Sequence, residues 1–360
     1  MVTVADLASY LDIPVFSWVS NMPELDDKRV KSTLVRTVAP ISSLSEILLF
    51  VCERMSWYTL AMISTRDVKS VSMASFFRSS INREDNRFYL TREFNMVDVA
   101  ATEEDIREMY AAIKTEARVI VLVVPSNTVR RYMVTADYMG LTGGDYQFLY
   151  TERTIADENF LKRFTDTVFW KLGQEDDERA RRAYHNLLYF TYNYAIYWLQ
   201  QSGKEAAQRL FGSDPSIPEA ADKPDKYAKF LHDSVYLYGV AFNQSMTFNS
   251  SIVPKGNDIF YHSQNQSFIG KSGVFLTNHK ADRQAGFIIW DMDEEDVFRR
   301  VIVAQYDLSQ KLTLTLVDNI LWGNNQYYNT SKGIYIPPDK PQCGLNDEFC
   351  QKGQSTQITQ

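Results

Sequence analysis

The run Val119-Ile120-Val121-Leu122-Val123-Val124, closed by Pro125, decides the fold. Six consecutive apolar residues, four of them valine, suit an extended strand, and the missing polar alternation predicts a strand covered on both faces. Such a strand belongs to a parallel sheet with helices above and below. The flanking sequence repeats that logic. Upstream, Thr102 is a predicted N-cap for a helix in which Ile106, Met109, Tyr110 and Ile113 recur at helical spacing. Further upstream, Thr59 to Thr65 (TLAMIST) and Phe88 to Met96 read as strands. Leu44, Ile47, Leu48, Val51, Cys52 and Met55 form a helical stripe behind Ser43 and Glu46, a predicted capping box. Tyr146 to Thr151 (YQFLYT) supplies the next strand, and the alternation as a whole predicts a doubly wound α/β arrangement.

The pattern changes toward both ends. In residues 1–20, Val4, Leu7, Ala8 and Leu11 make a helical stripe and Ile13 to Val19 (IPVFSWV) reads as the strand after it. A crossover helix needs a strand before it, so the chain is expected to begin inside a sheet domain. After Thr151, Glu175 to Arg182 (EDDERARR) reads as a solvated loop and helix start, and Leu187 to Tyr192 (LLYFTY) as a strand. A helix is expected from about Tyr194 to Leu210, a surface loop over Gly212 to Asp225, and an aromatic-rich helix over Lys226 to Met246. Short strands follow, Phe287 to Trp290, Val301 to Tyr306 and Leu312 to Val317 being the clearest, and the tail from Pro337 is expected to lie outside the core.

Composition narrows the function. The chain has 360 residues, which at roughly 150 per domain suggests two domains or lobes. Its 38 Lys and Arg against 45 Asp and Glu give a net charge of −7, which argues against a primary nucleic-acid binder. A hydrophobic fraction of 45% excludes a disordered chain. There is no apolar run of about 18 residues to span a membrane as a helix. Residues 1–14 carry no secretion-signal pattern.

Enzyme motifs fail at specific positions. Gly270, Lys271 and Ser272 resemble the end of a P-loop, but Asn265 stands where its first glycine belongs, so a glycine-rich surface turn is expected. Asp291 to Asp296 (DMDEED) puts Asp296 where a calcium loop needs glycine, leaving a solvated acidic turn. His185, His232, His262 and His279 are scattered without metal-ligand spacing, and Cys52 reads as a core thiol. No metal, cofactor or catalytic residue is expected, and the residues favour a binding protein over an enzyme. Cys343 and Cys350 enclose GLNDEF in the polar tail and can close a small disulfide loop or stand as two exposed thiols. With the N-x-S/T sequons at Asn243, Asn249, Asn265 and Asn329, they point to an oxidising compartment.

ADLASYLDIP from Ala5, Trp18, Glu24 with Leu25, TLVRTVAP from Thr33, FIGKSG from Phe268, FIIWD from Phe287 and PPDKPQCGLNDEFC from Pro337 together resemble the ligand-binding region of receptor guanylate cyclases of the natriuretic-peptide-receptor type, the tail most closely its nematode members. The resemblance implies a type I periplasmic-binding-protein-like fold, in which two doubly wound parallel-sheet lobes are joined by three crossovers and the first lobe is incomplete at its N-terminus. The crossovers would fall near Arg36, Tyr192 and Trp290. Lobe one would then be residues 1–36 with 193–290, lobe two 37–192 with 291–336, and 337–360 a juxtamembrane-like tail. Ligands meet such sheets at the carboxyl ends of strands, which makes Ser17, Trp18, Arg36, Ser64, Thr65, Ser126, Tyr150, Glu152 and Tyr192 the cleft candidates. Each suits a turn or cap equally well, and Ser126 reads as a possible cap of the following helix. By resemblance the chain is an extracellular sensor at the plasma membrane for an unidentified peptide, small molecule or ion. It would be homodimeric through lobe one, with the Val4 to Leu11 helix at that interface. It would touch the membrane only through a spanning helix outside this sequence and drive cyclic GMP synthesis by a domain also outside it. A clearance or decoy receptor without a cyclase, and a soluble solute-binding protein or unrecognised hydrolase, are the alternatives.

Overall fold

The computed structural model describes residues 1–83, 87–153, 169–194, 226–248, 253–307, 309–329 and 333–341. The helix expected from about Tyr194 to Leu210, the loop to Asp225, Asn249 and the pair Cys343 and Cys350 lie outside the described residues.

The Val119 run becomes β5 (Val119–Val123), every residue of it buried, in the middle of an eight-stranded sheet. β3 (Thr59–Thr65), β4 (Tyr89–Val97), β6 (Gln147–Thr151) and β7 (Leu187–Asn193) run parallel to it in the order β4-β3-β5-β6-β7. β11 (Gly286–Met292), β12 (Phe298–Tyr306) and β13 (Leu312–Leu316) extend the β7 edge antiparallel. Successive side chains of a strand point to opposite faces, and two hydrophobic cores result. Val119, Val121 and Val123 join Leu60, Met62, Leu149 and Leu188 in one core, beneath α2 (Ser42–Arg54) and α3 (Val68–Arg83). Ile120 and Leu122 join Ala61, Ile63, Phe148 and Tyr189 in the other, beneath α4 (Glu103–Ile113), α5 (Val129–Tyr138) and α6 (Asp177–Tyr184). The continuous apolar run thus serves two helix layers at once, as a doubly wound sheet requires.

Local signals are obeyed unevenly. Thr102 caps α4 in full, its hydroxyl accepting from Asp105 N–H while the Asp105 carboxylate accepts from Thr102 N–H. The box expected at Ser43 and Glu46 does not form. α2 starts two residues earlier, at Ser42 after Pro40 and Ile41, and Ser43 instead donates its hydroxyl to the Pro40 carbonyl at 2.6 Å. Thr128, not Ser126, holds the N-cap position of α5, and its hydroxyl turns back to the Pro125 carbonyl.

The smaller unit begins with α1 (Val2–Tyr10), β1 (Val15–Ser17) and β2 (Leu34–Arg36), the two strands pairing in parallel. It is completed by α7 (Ala228–Phe248), α8 (Gly256–His262), β8 (Ser267–Gly270), β9 (Gly273–Thr277) and β10 (Arg283–Gln284). α1 buries only one residue of its sequence stripe, Ala8. Ala5 and Ala8 face inward, Ala5 against Leu25 and Leu34, while Val4, Leu7 and Leu11 are exposed. The chain leaves β2 at Arg36 for α2, leaves the large sheet after Asn193, and re-enters it at Gly286, opposite Asn193 and ahead of Trp290. The first residues of the tail, 337–341, are docked. Pro337 is buried, its carbonyl accepts from the Trp57 indole N–H at 2.7 Å, and the Asp339 carboxylate accepts from the N–H groups of Tyr58 and Thr59 at 2.8 and 2.7 Å. No helix among the described residues is long and apolar enough to cross a membrane.

Candidate functional site

Where β2 passes into α2, the two units face each other across a cleft of about 380 Å³. The small unit contributes Asp26, Arg29, Arg36, Lys280, Asp282 and Arg283, and the large unit Pro40, Ser42, Ser43, Glu46, Phe76 and Tyr306. The floor is ionic. Arg36, wholly buried, donates in bidentate fashion to Asp282 (Nε to Oδ1 2.7 Å, Nη2 to Oδ2 2.6 Å) and also meets Asp26 at 2.7 Å. Lys28 lies beside it, 2.8 Å from Asp282 and donating to the Leu34 carbonyl at 2.8 Å. Burial pushes the Lys28 ammonium down to about 8, against the attraction of Asp282 and with the repulsion of Arg36. For Asp282 burial acts to raise the pKa, but the bonds from Arg36 and Lys28 outweigh it and hold the carboxyl below its ordinary value. Two buried cations facing two carboxylates form a compensated network. Over it lie the exposed Lys280 and the first turn of α2, whose N-cap Ile41 supplies no capping side chain.

Of the nine residues expected at the cleft, Arg36 lines it and the others do not. Ser17 is buried and shares a hydrogen bond with the Ser20 backbone, and Trp18 packs half-buried on the first core. Ser64 donates to the Asn95 side chain. Thr65 belongs to a separate knot at the start of α3, in which Asp67 takes hydrogen bonds from Thr65, Ser70 and Arg153. Ser126 is half-buried, and Tyr150 lies in the second core against the Tyr189 ring. Glu152 accepts from the Tyr189 hydroxyl at 2.9 Å. Tyr192, stacked on Tyr194, donates to the carbonyl of Pro40 in the cleft wall, so it supports the site from behind. Sequence reasoning missed Asp26, Lys28 and Asp282. Isolated charges in loops give no local signal, and Arg36 meets Asp282 across 246 positions.

Two motifs set aside as non-catalytic gain definite roles. The Gly270-Lys271-Ser272 turn is an anion nest already filled by the protein: the backbone N–H groups of Lys271 and Ser272 donate to the buried Asp233 carboxylate at 2.7 and 3.0 Å, and the Ser272 hydroxyl bonds it as well. A Cβ on Gly270 would collide with that carboxylate, which explains the glycine. The DMDEED run is only partly a solvated turn. Asp293 to Asp296 turn β11 into β12, but Asp291 is buried inside β11, accepts from Leu321 N–H at 2.7 Å, and is pushed by burial well above the carboxylate range. Cys52 is wholly buried and burial raises its thiol, as befits a core residue. Among the described residues no group of three or more His, Cys, Asp and Glu is placed to hold a metal ion.

A large sheet wound on both faces, a smaller α/β unit joined to it by strand crossings, and a charged cleft at the joint define a two-lobed α/β ligand-binding protein of the periplasmic-binding type. Residues 1–295 match the model of the receptor family ligand binding region, and the chain belongs to that family. Its relatives include the protein named atrial natriuretic peptide receptor 2 of Anguilla japonica, 24% identical over 350 residues covering 91% of this chain and 30% of that protein. Receptor-type guanylate cyclase gcy-7 of Caenorhabditis elegans is 21% identical, covering 96% of this chain and 32% of its own length. Atrial natriuretic peptide receptor 3 of Bos taurus is 22% identical, with 84% and 55% covered. The chain therefore spans from under a third to about half of these relatives.

Proposed function

We propose that the chain is the extracellular sensor of a plasma-membrane receptor of the guanylate cyclase type. Ligand held at the cleft between the two units changes their relative setting, and the change reaches cyclic GMP synthesis by a domain outside this sequence. The observation that carries this reading is the family match over residues 1–295 in a chain whose two units meet at a charged, ligand-sized cleft. A ligand can drive such a change only by favouring one setting over the other. The docked tail supports the output path, since Asp339 ties it to the first residues of β3. A homodimer through the smaller unit completes the reading. The outward face of α1 offers Val4, Leu7 and Leu11 to a second copy, an apolar surface that a lone domain gains nothing by exposing.

The test joins residues 1–360 to the segments of the gcy-7 relative that lie beyond the match, and follows cyclic GMP in cells challenged with peptides, small solutes and ions. A ligand that raises cyclic GMP, and does so more weakly when exposed Lys280 is changed to Glu, supports the reading. A ligand that binds the secreted chain with equal affinity in wild type and Lys280→Glu removes the cleft as its site. For the dimer, Leu7→Glu should turn a sedimenting dimer into a monomer without lowering the thermal midpoint, and a wild-type chain that stays monomeric at high concentration with and without ligand would sink it.

A further inference from the structure

Of the two sequons whose acceptor side chain the structure describes, only one presents all its reacting groups. Asn243 is exposed but sits within α7, and the hydroxyl of Ser245, its third residue, is buried and donates to the Ala241 carbonyl at 2.9 Å. Asn265 lies just after α8, in a left-handed turn (φ +53°) that asparagine tolerates well. It is exposed, and so is Ser267, the first residue of β8. The Asn265 amide is held by one side only. Its Oδ1 accepts from Gln310 Nε2 at 2.6 Å, whereas its Nδ2 has no partner among the described residues. Gln310 belongs to the β12–β13 turn of the large unit, and the Asn265 backbone N–H donates to the carbonyl of Asn278, which lines the cleft. The sequon therefore stands on the cleft rim at a contact between the two units.

We propose that Asn265 is an N-glycosylation site, carrying its glycan at the mouth of the cleft. The donor is a lipid-linked oligosaccharide diphosphate. Nδ2 attacks the anomeric carbon of the first sugar, the C–N bond forms as the C–O bond to the diphosphate breaks, the lipid diphosphate leaves with that electron pair, and one amide proton is lost to a base. The carbonyl that Gln310 holds takes no part, so the inter-unit hydrogen bond survives modification. The inference rests on the extracellular reading, and its test is made independent of it by supplying a heterologous secretion leader. The chain exported from animal cells is treated with peptide N-glycosidase in heavy-oxygen water and mapped by mass spectrometry. Conversion of Asn265 to labelled Asp in most molecules is expected, with loss of one glycan from the gel mobility in both Asn265→Gln and Ser267→Ala. The second variant keeps Asn265 and its bond to Gln310, so it separates loss of the sequon from misfolding. Exported, folded protein with unlabelled Asn265 overturns the proposal and leaves the receptor reading standing. Absence of the native protein from the cell surface, with Asn265 modified in the leader-driven chain, does the reverse.

Discussion

Arg36 concentrates several jobs in one side chain. Its backbone ends β2, its N–H donates to the Ala281 carbonyl, and its guanidinium binds two carboxylates while lining the cleft. Removing one partner of a buried pair leaves the other uncompensated, so Asp282→Asn should cost about 3 kcal/mol, the low end of the usual range because Asp26 still faces Arg36. Denaturant midpoints report the loss. The pH dependence has a definite sign. The folded-state pKa of Asp282 lies below its unfolded value, so its stabilisation is present above the unfolded value near 4 and is lost as pH falls through the lower folded one. Asp282→Asn should therefore flatten the acid limb of the stability curve. Lys28 behaves alike in the alkaline range. Its folded pKa of about 8 lies below the ordinary 10.5, so the folded state gains relative to the unfolded one as pH rises between those values. The stability of wild type relative to Lys28→Met should rise from pH 8 toward 10, by up to about 3 kcal/mol in full. A difference independent of pH would show that Lys28 keeps an ordinary pKa. Arg36 is the one member of this cluster that the sequence singled out; nothing in Asp26, Lys28 or Asp282 distinguishes a buried charge from a solvated one until the fold brings Arg36 and Asp282, 246 positions apart, together.

At the scale of elements, legibility followed burial. β3, β5, β6 and β7 lie where their apolar runs predict, since a strand buried on both faces is built mainly of apolar residues, with the few polar ones, such as Ser64 and Thr191, buried among them. α1 went the other way. Periodicity groups Ala8 with the larger Val4, Leu7 and Leu11, but the helix packs closely through Ala5 and Ala8 alone and leaves the larger residues outside. The start of the tail, expected outside the core, shows a related effect. Proline, glycine and glutamine mark it as surface, yet Pro337 and Asp339 dock through backbone and carboxylate hydrogen bonds that composition cannot register. Asp339 accepts from two N–H groups at the entry to β3, and removing the acceptor strands both. Asp339→Ala should speed hydrogen exchange at Tyr58 and Thr59 and loosen the tail at a cost of about 1–3 kcal/mol. Unchanged exchange at those two amides would mean that the tail is held elsewhere, and with it the output path proposed above.

The whole molecule sets two units of unequal strength side by side. The larger has two extensive cores on an eight-stranded sheet, whereas the small clusters of the smaller unit gather only a few residues, such as Val35, Leu237, Phe275 and Ala281. Buried apolar area is the main stabilising term, so the smaller unit should be the weaker in isolation. What ties it to its neighbour is a short set of contacts: Phe230 and Trp18, which reach into the first core, and the hydrogen bonds of Thr37 with Ser234, Tyr194 with the Ala39 N–H, and Gln310 with Asn265. Such a joint suits a protein whose units must shift against each other, because few buried groups need to be repaired at each change of setting. It also predicts unfolding in two steps. Amides of β1 and β2 should exchange well before those of β5, and denaturant should melt the smaller unit first, with tyrosine fluorescence and far-ultraviolet circular dichroism giving separate midpoints. Asp282→Asn, which loosens the ion cluster inside the smaller unit, should move only the earlier transition. Coincident midpoints for wild type and variant alike would mean that this joint couples the units as tightly as one continuous core, and that ligand-driven movement between them would have to overcome the cohesion of the entire fold.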